Sequence, residues 1–297
     1  MRGCIAGHKY VEQTNYNSAA FDLGVLSTHG YFDVDSFLKI HNGEAVAYLA
    51  RGVFPVENCS RIAKAFVKRA DRHQYDVKPV IEALGKPLFR AELPRRNEYF
   101  SNASKFQAQI QELFVDADTP NFVETLVEKI RRELRERSVE TRPIEFEGRN
   151  GFYGITRRWG AYGTDSEGNS TRIHEDRTQL RNHEGLETRQ AANGPLVSTC
   201  IYYSNGERGG GTTIFNIRPS FADSQQEQVE GEYGYGYDKK WVAGLSRLDI
   251  LPQAGDVLTF SADFLHVVNG IEGGDRINSS FFSSMVKAEH ANLLVWS

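Results

Sequence analysis

The chain has 297 residues, of which 40% are hydrophobic and 25% charged, and its formal net charge is −4. This composition is typical of a globular protein, and its slightly acidic balance argues against sequence-independent binding to nucleic acid or to an anionic membrane surface. No apolar run approaches the roughly 20 residues that span a bilayer, and the first residues lack the apolar core of a signal peptide, so we expect a cytoplasmic protein.

Helical patterns dominate the first half of the chain. One helix is predicted over 59–70, a second after Ser104, and a third that begins with Thr119 as N-cap and Pro120 in its first turn. Apolar residues recur at helical spacing in these three segments: Ile62, Ala63, Phe66 and Val67; Phe106, Ile110, Leu113 and Phe114; Phe122, Val123, Leu126, Val127, Ile130 and Leu134. We therefore predict a helical support region over residues 1–144.

Short strand patterns separated by turn residues dominate after residue 145. Candidate strands cover 151–158, 170–176, 197–203, 212–217, 257–261 and 276–286. Many short strands with Gly-rich turns favour a sandwich or jelly roll. The segment of about 221–248 is too long for a tight hairpin and is predicted to be a lid-like insertion. The expected fold class is α+β, with the helical region packed on a core over 145–297 to form one compact domain.

Two histidines and one aspartate form the candidate catalytic and metal site. His174 and Asp176 are two residues apart in a predicted strand, so both side chains project to the same face. His266 adds a second imidazole from an apolar segment, and two histidines with one carboxylate typically bind non-haem Fe(II). The alternatives are a surface pair for His174 and Asp176 and a core histidine for His266. A buried histidine without a partner is costly, which favours the ligand interpretation.

Arg276 indicates which co-substrate the metal site would use. It follows a glycine-containing turn after the His266 segment, so a strand pair would return it to the neighbourhood of His266. A guanidinium that reaches into a β-barrel requires an anionic partner. The partner could be a local Asp or Glu, or the distal carboxylate of 2-oxoglutarate bound in a bidentate manner.

These residues resemble the prolyl-hydroxylase-like branch of the Fe(II)/2-oxoglutarate dioxygenases over about residues 150–286. The similar segments are Trp159 to Gly163, Ile173 to Asp176, Ser198 to Asn205, Gly209 to Phe215, Pro252 to Phe260, and His266 to Arg276. The resemblance implies a double-stranded β-helix (a jelly roll, cupin-like) core that uses Fe(II), 2-oxoglutarate and O₂. It also implies that Tyr203 or Tyr162 donates a hydrogen bond to the co-substrate carboxylate bound by Arg276. Asn278 stands where the family often has Ser or Thr near that carboxylate.

The helical first half and the chain length also resemble, more weakly, the stand-alone hydroxylases and aliphatic halogenases of small molecules. Halogenases of that group carry Gly or Ala at the position of Asp176, which frees a coordination site for chloride. The carboxylate of Asp176 therefore predicts hydroxylation of an unactivated C–H bond, although desaturation or epoxidation needs the same machinery.

The substrate is expected to be a small polar or anionic molecule, such as a free or derivatised amino acid or a related natural-product intermediate. Candidate contacts are Arg157, Trp159, Arg172 and Trp241, whose alternatives are a core position for Trp159 and solvated side chains for the arginines. A hydroxylase of polypeptides and a non-catalytic jelly-roll binding protein are the competing functions. We expect neither nucleic-acid nor membrane partners, and a homodimer is allowed. Cys4, Cys59 and Cys200 show no paired spacing and are predicted to be free thiols.

Overall fold

Helices, a large mixed sheet and a small antiparallel sheet form the three layers of the part that the computed structural model describes. That part comprises residues 18–75, 80–88, 93–160, 164, 168–177, 186–187, 194–219, 236–287 and 291–297. Its helices are α1 (Ser18–Asp22), α2 (Val34–His41), α3 (Val56–Lys68), α4 (Leu93–Asp116) and α5 (Phe122–Arg135). Its strands are β1 (Val25–His29), β2 (Ala47–Arg51), β3 (His73–Gln74), β4 (Glu82–Leu84), β5 (Glu140–Pro143), β6 (Glu145–Phe146), β7 (Arg149–Asn150), β8 (Ile155–Trp159), β9 (Val197–Ser204), β10 (Arg208–Gly209), β11 (Thr212–Phe215), β12 (Arg247–Ile250), β13 (Val257–Ser261), β14 (His266–Val268), β15 (Ile271–Glu272), β16 (Arg276–Lys287) and β17 (Ala291–Trp296).

The large sheet has the strand order β1-β2-β13-β9-β16-β8-β4-β3, with β17 paired to β16 and β5 paired to β17. Its central strands β9 and β13 are rich in β-branched and aromatic residues, and β13 is buried along its whole length. Near-continuous burial is typical of a strand that is covered on both faces. The large sheet therefore lies between two other layers.

The small sheet, in the order β12-β11-β14, covers one face of the large sheet. Ile214 and Ile250 of the small sheet belong to the same buried cluster as Cys200, Tyr202 and Phe260 of the large sheet. We call this side of the large sheet the inner face. The apolar core on this side positions β14, and with it His266, opposite β9 and β16.

Helices α2 to α5 contribute to the core on the other side, the outer face. Apolar residues of α5 share a buried cluster with Tyr203, Ile277 and Phe281 of the large sheet. Helix α5 begins at Phe122 rather than at Pro120. The side chain of Asn121 accepts hydrogen bonds from the backbone N–H groups of Val123 and Glu124, so Asn121 is the N-cap.

Several predicted elements differ from the structure. Helix α4 begins at Leu93, well before Ser104. The strand predicted over 151–158 starts later, at Ile155, and ends at Trp159. The segment 170–176 forms no regular strand and pairs only through isolated bridges at Ile173 and His174. The N-terminal half also supplies strands that helical spacing did not predict: β1 and β2 join the large sheet next to β13. Strands from both sides of the predicted boundary near residue 144 therefore belong to the same large sheet.

Among the described helices, none combines the length and apolar character that crossing a membrane requires.

Candidate metal centre

The backbones of the two histidines lie directly opposite each other. His174 and His266 form an isolated antiparallel bridge, in which each N–H donates to the other carbonyl at 2.9 and 2.8 Å. The N–H of Asp176 donates to the carbonyl of Ala262 at 3.0 Å, which fixes the third residue against the loop that precedes β14. Backbone pairing thus brings together residues that are 92 positions apart (266 − 174).

The side chains of His174, Asp176 and His266 converge. Nε2 of His266 lies 3.4 Å from one carboxylate oxygen of Asp176, and Nε2 of His174 lies 4.0 Å from the other. The candidate ligand atoms all lie within 4.8 Å of one another. Asp176 and His266 are buried and His174 is partly buried, so the group is shielded from bulk water while one side remains accessible.

Hydrogen bonds set the tautomers of both imidazoles. Nδ1 of His174 donates to the carbonyl of Arg172 at 2.7 Å, and Nδ1 of His266 donates to the carbonyl of Phe264 at 2.9 Å. With the proton on Nδ1, Nε2 of a neutral ring presents its lone pair to Asp176. Burial, followed by the neighbouring His266, lowers the pKa of His174 to about 4, so this ring is neutral at pH 7.

The three residues fit a divalent transition-metal ion. Burial would raise the pKa of Asp176, but the hydrogen bond and charge of His266 together with His174 hold it below its usual value, so the carboxylate is ionised. In the form in which both imidazoles are neutral, two nitrogen lone pairs and one carboxylate face the same point. A cation at that point relieves their repulsion, and backbone carbonyls that orient ligating histidines are typical of metal sites. Two imidazoles and one carboxylate match the ligand set that commonly holds Fe(II).

Arg276 lies on the inner face, held by neutral groups. Its Nη2 donates to the hydroxyl of Tyr202 at 2.8 Å, and its Nη1 donates to the carbonyl of Gly210 at 3.1 Å and to Oγ1 of Thr212 at 3.3 Å. The guanidinium carbon lies 5.1 Å from the ring centre of Trp159 and 4.9 Å from that of Tyr202. No described carboxylate pairs with Arg276, which is 3% exposed, so the local salt bridge considered from the sequence is not formed. An unneutralised buried guanidinium favours an anionic ligand.

The prediction for Tyr203 requires a correction. Its hydroxyl donates to Oγ of Ser279 at 2.7 Å, and its ring lies among Phe114 and Phe122 on the outer face. Tyr202, one position earlier, points to Arg276 instead. Successive side chains of a strand alternate between faces, so only one of two adjacent tyrosines can reach the inner face.

Polar atoms without a partner among the described residues gather beside Arg276. They are both side-chain amide atoms of Asn278, Nε1 of Trp159 and Nε of Arg276. Asn278 is fully buried and lies opposite Tyr202 in the sheet register. Buried polar groups are almost always paired in folded proteins, so this group of donors and acceptors indicates the position of a polar ligand. The co-substrate role of Asn278 expected from the sequence stays a prediction.

The predicted substrate residues occupy different places. Arg157 lies on the inner face and donates to Oγ of Ser280 at 2.9 Å. Trp159 stacks on Arg276, so it lies at the Arg276 end of the site. Trp241 packs on Tyr237 beside Ile173 and Val267, which point away from the histidine ligands, so the structure does not bring it to the metal centre. The carbonyl of Arg172 orients His174. Tyr162 and residues 221–235 of the predicted insertion lie outside the described residues.

Sequence reasoning missed several residues of the site. Tyr202 and Thr212 accept hydrogen bonds from Arg276, and Ser280 accepts one from Arg157. Asp263 forms an ion pair in the loop that precedes His266. The alternation of β9 could have shown that only one of its tyrosines reaches the inner face. It could not have shown which one, because both faces of this strand are covered.

Comparisons with known proteins agree with this geometry. A family model described as carrier-protein-independent halogenase WelO5 matches residues 21–297. No curated protein sequence matches the chain. An N-substituted L-amino acid dioxygenase from Burkholderia ambifaria AMMD has a similar structure, with a TM-score of 0.57 and 12% identity over 88% of this chain and 91% of that chain. Its complex with alpha-KG has a TM-score of 0.55, also at 12% identity, over 89% of this chain and 90% of that chain. At this identity the likeness shows a shared fold.

Proposed function

The chain belongs to the WelO5 family of Fe(II)- and 2-oxoglutarate-dependent oxygenases, and from this premise we propose that it hydroxylates an unactivated C–H bond of a small molecule. The observation that carries the proposal is the convergence of His174, Asp176 and His266 beside a buried arginine that no described carboxylate neutralises. The earlier resemblance to Fe(II)/2-oxoglutarate dioxygenases is thereby confirmed at the level of the family.

Each residue of the site has a defined task in this proposal. His174, Asp176 and His266 would hold Fe(II), which supplies the oxidising chemistry when O₂ and 2-oxoglutarate are present. Arg276 binds the distal carboxylate of 2-oxoglutarate, and the hydroxyl of Tyr202 orients the guanidinium. The side-chain N–H of Asn278 donates a hydrogen bond to the same carboxylate. The buried ring of Trp159 excludes water from this end of the site.

Asp176 favours hydroxylation over halogenation. The halogenases of the resembling group have Gly or Ala at this position, which leaves a site for chloride. The carboxylate of Asp176 lies within 4.0 Å of both imidazoles, so it would occupy that site. Family membership supports halogenation as a second candidate reaction, and the ligand set of this chain opposes it.

We also propose that the two facing sheets form a double-stranded β-helix, with the ligands at its mouth. The support is the pairing of His174 with β14 and the location of Arg276 on the opposing sheet. A free or derivatised amino acid is the proposed substrate class, and the fold shared with an N-substituted L-amino acid dioxygenase is consistent with this class.

Anaerobic binding of Fe(II) and 2-oxoglutarate, followed by exposure to O₂, tests the proposed function. The wild-type protein should bind both and form succinate when a metabolite library contains its substrate. His174→Ala and His266→Ala should each abolish coupled succinate formation, because either change removes one metal ligand. Succinate formation that persists in either variant would exclude the assigned ligands.

Replacement of Asp176 by Gly tests the choice between hydroxylation and halogenation. Asp176→Gly should lose most of the hydroxylation activity, and in chloride buffer a chlorinated product becomes accessible. Product masses from wild type and variant, measured with the same substrate, report the outcome. Chlorination by the wild-type protein, or unchanged hydroxylation by the variant, contradicts the role given to Asp176.

A further inference from the structure

Arg157 is a second arginine of the inner face, the face on which Arg276 also lies. In β8 its side chain lies on the same face as those of Ile155 and Trp159, and Arg157 is opposite Asn278 in the sheet register. Arg157 and Arg276 therefore project from neighbouring strands on the same face of the large sheet.

Neutral groups hold this guanidinium in place. Nε donates to the hydroxyl of Tyr75 at 3.1 Å, and Nη1 donates to Oγ of Ser280 at 2.9 Å. The guanidinium carbon also lies 5.8 Å from the ring centre of Tyr75. A guanidinium carries five N–H donors, so these contacts leave the Nη2 end for another partner.

The next residue shows how this protein neutralises an arginine that has a structural role. Arg158 points to the outer face, where Nη1 lies 3.0 Å from a carboxylate oxygen of Glu82 and Nη2 lies 2.8 Å from one of Asp275. Among the described residues no Asp or Glu forms an ion pair with Arg157, although it is half-buried. A partly desolvated charge without a counter-charge is costly, so its retention favours a role in binding an anion.

The charges of the loaded site support the same conclusion. The two positive charges of Fe(II) balance the two negative charges of 2-oxoglutarate, and Arg276 balances Asp176. The charge of Arg157 then has no counterpart among the described residues of the inner face. A desolvated site favours electroneutrality, so the additional ligand should carry one negative charge.

We infer that Arg157 binds a carboxylate of the substrate, so that the substrate is a monoanionic carboxylic acid. This inference rests on the proposed function, because it assigns Arg276 to 2-oxoglutarate. Tyr75 and Ser280 hold the guanidinium in one orientation, and its free end meets the carboxylate. Arg157 is thus a specificity-determining residue, since a neutral analogue would leave the arginine unpaired.

Calorimetric titration of the full chain, loaded with Ni(II) and 2-oxoglutarate, tests this inference. The probes are small monocarboxylic acids without a cationic group, including N-acylated amino acids, each paired with its primary carboxamide. At least one acid should bind, and its carboxamide should bind about 100-fold more weakly, because the amide cannot replace the ion pair. Arg157→Gln should weaken binding of that acid by about 100-fold, and Arg157→Lys should restore part of the affinity.

Two controls separate this inference from the proposed function. Direct titration of 2-oxoglutarate should give the same affinity in wild type and in Arg157→Gln, whereas failure of the wild type to bind 2-oxoglutarate refutes the proposed function itself. Arg149→Gln removes an exposed arginine that pairs with Glu147, and it should leave binding of the acid unchanged. Binding of no acid, equal binding of an acid and its carboxamide, or unchanged affinity in Arg157→Gln would overturn the role of Arg157.

Discussion

Tyr202 and Tyr203 are adjacent in β9, but their hydroxyl groups serve different layers of the molecule. The hydroxyl of Tyr202 accepts from Arg276 on the inner face, whereas that of Tyr203 donates to Ser279 near the helices. Both side chains are almost completely buried. The same chemical change at the two positions should therefore affect two different properties.

Removal of each hydroxyl separates co-substrate binding from stability. Tyr202→Phe leaves Nη2 of Arg276 without its acceptor and should weaken binding of 2-oxoglutarate by about 10-fold, which corresponds to roughly 1.4 kcal/mol. Tyr203→Phe should leave that affinity unchanged and lower the free energy of unfolding by about 1 kcal/mol. Calorimetric titration and urea denaturation measure the two effects. If Tyr203→Phe weakens co-substrate binding and Tyr202→Phe does not, the assignment is wrong.

His41 is a buried imidazole at the end of α2, and it is not one of the candidate metal ligands. Its Nε2 lies 3.1 Å from Oγ of Ser283, and burial lowers its pKa to about 3. In the unfolded chain the pKa is about 6.5. Between these values the unfolded state binds a proton that the folded state does not bind, so stability is full above pH 6.5 and is lost as the pH falls toward 3.

The free energy of unfolding should therefore depend on pH through His41. The contribution of this one residue approaches about 1.4 kcal/mol per pH unit between pH 6 and pH 4. Urea denaturation of the wild-type protein and His41→Gln across this range isolates the contribution, because all other titrating groups are shared. Parallel pH profiles for the two proteins contradict the buried neutral state of His41.

At the scale of elements, the loop from Ala262 to Leu265 connects β13 to β14 and aligns the metal ligands. The carbonyl of Ala262 accepts from the backbone N–H of Asp176, and the carbonyl of Phe264 accepts from the ring of His266. Asp263 in the middle is 2% exposed. Its carboxylate lies 2.6 Å from Nη2 of Arg218 and 3.7 Å from Nη1 of Arg177, which directly follows Asp176.

Asp263 is therefore expected to act as a positioning residue for the metal ligands. Asp263→Asn removes the charge that anchors both arginines and should weaken binding of Fe(II) by about 10- to 100-fold, as changes around metal ligands commonly do. Anaerobic Fe(II) titration measures the affinity directly. Glu272→Gln, which removes an exposed carboxylate paired with Arg208, is the control and should bind Fe(II) as the wild type does. Unchanged Fe(II) affinity in Asp263→Asn excludes this role.

The elements themselves were predictable to different degrees. The apolar stripe of α5 and the strong strand patterns of β9, β13 and β16 could be read from the sequence, because each has a clear period or continuous β-propensity. Strands β1 and β2 could not, since they are short and their pairing with β13 is a long-range contact. The segment 170–176, which contains His174, was predicted as a strand, but it pairs with its neighbours only through isolated bridges.

At the scale of the whole molecule, the large sheet separates two functions. Helices α2 to α5 contribute to the buried core on its outer face, and its inner face carries both arginines toward the small sheet and the metal ligands. The identities of the candidate ligands and of Arg276 could be predicted, because the chemistry restricts the residue types that serve it. The orientation of Tyr202 and the ion pairs of Asp263 depend on packing between distant segments, which local patterns do not encode.

An anaerobic crystal structure with Fe(II) and 2-oxoglutarate tests the central claim most directly. We expect a single iron peak in anomalous difference maps, about 2.0–2.2 Å from Nε2 of His174, Nε2 of His266 and a carboxylate oxygen of Asp176. The distal carboxylate of 2-oxoglutarate should contact Arg276. Iron bound elsewhere, or 2-oxoglutarate bound away from Arg276, would contradict the account.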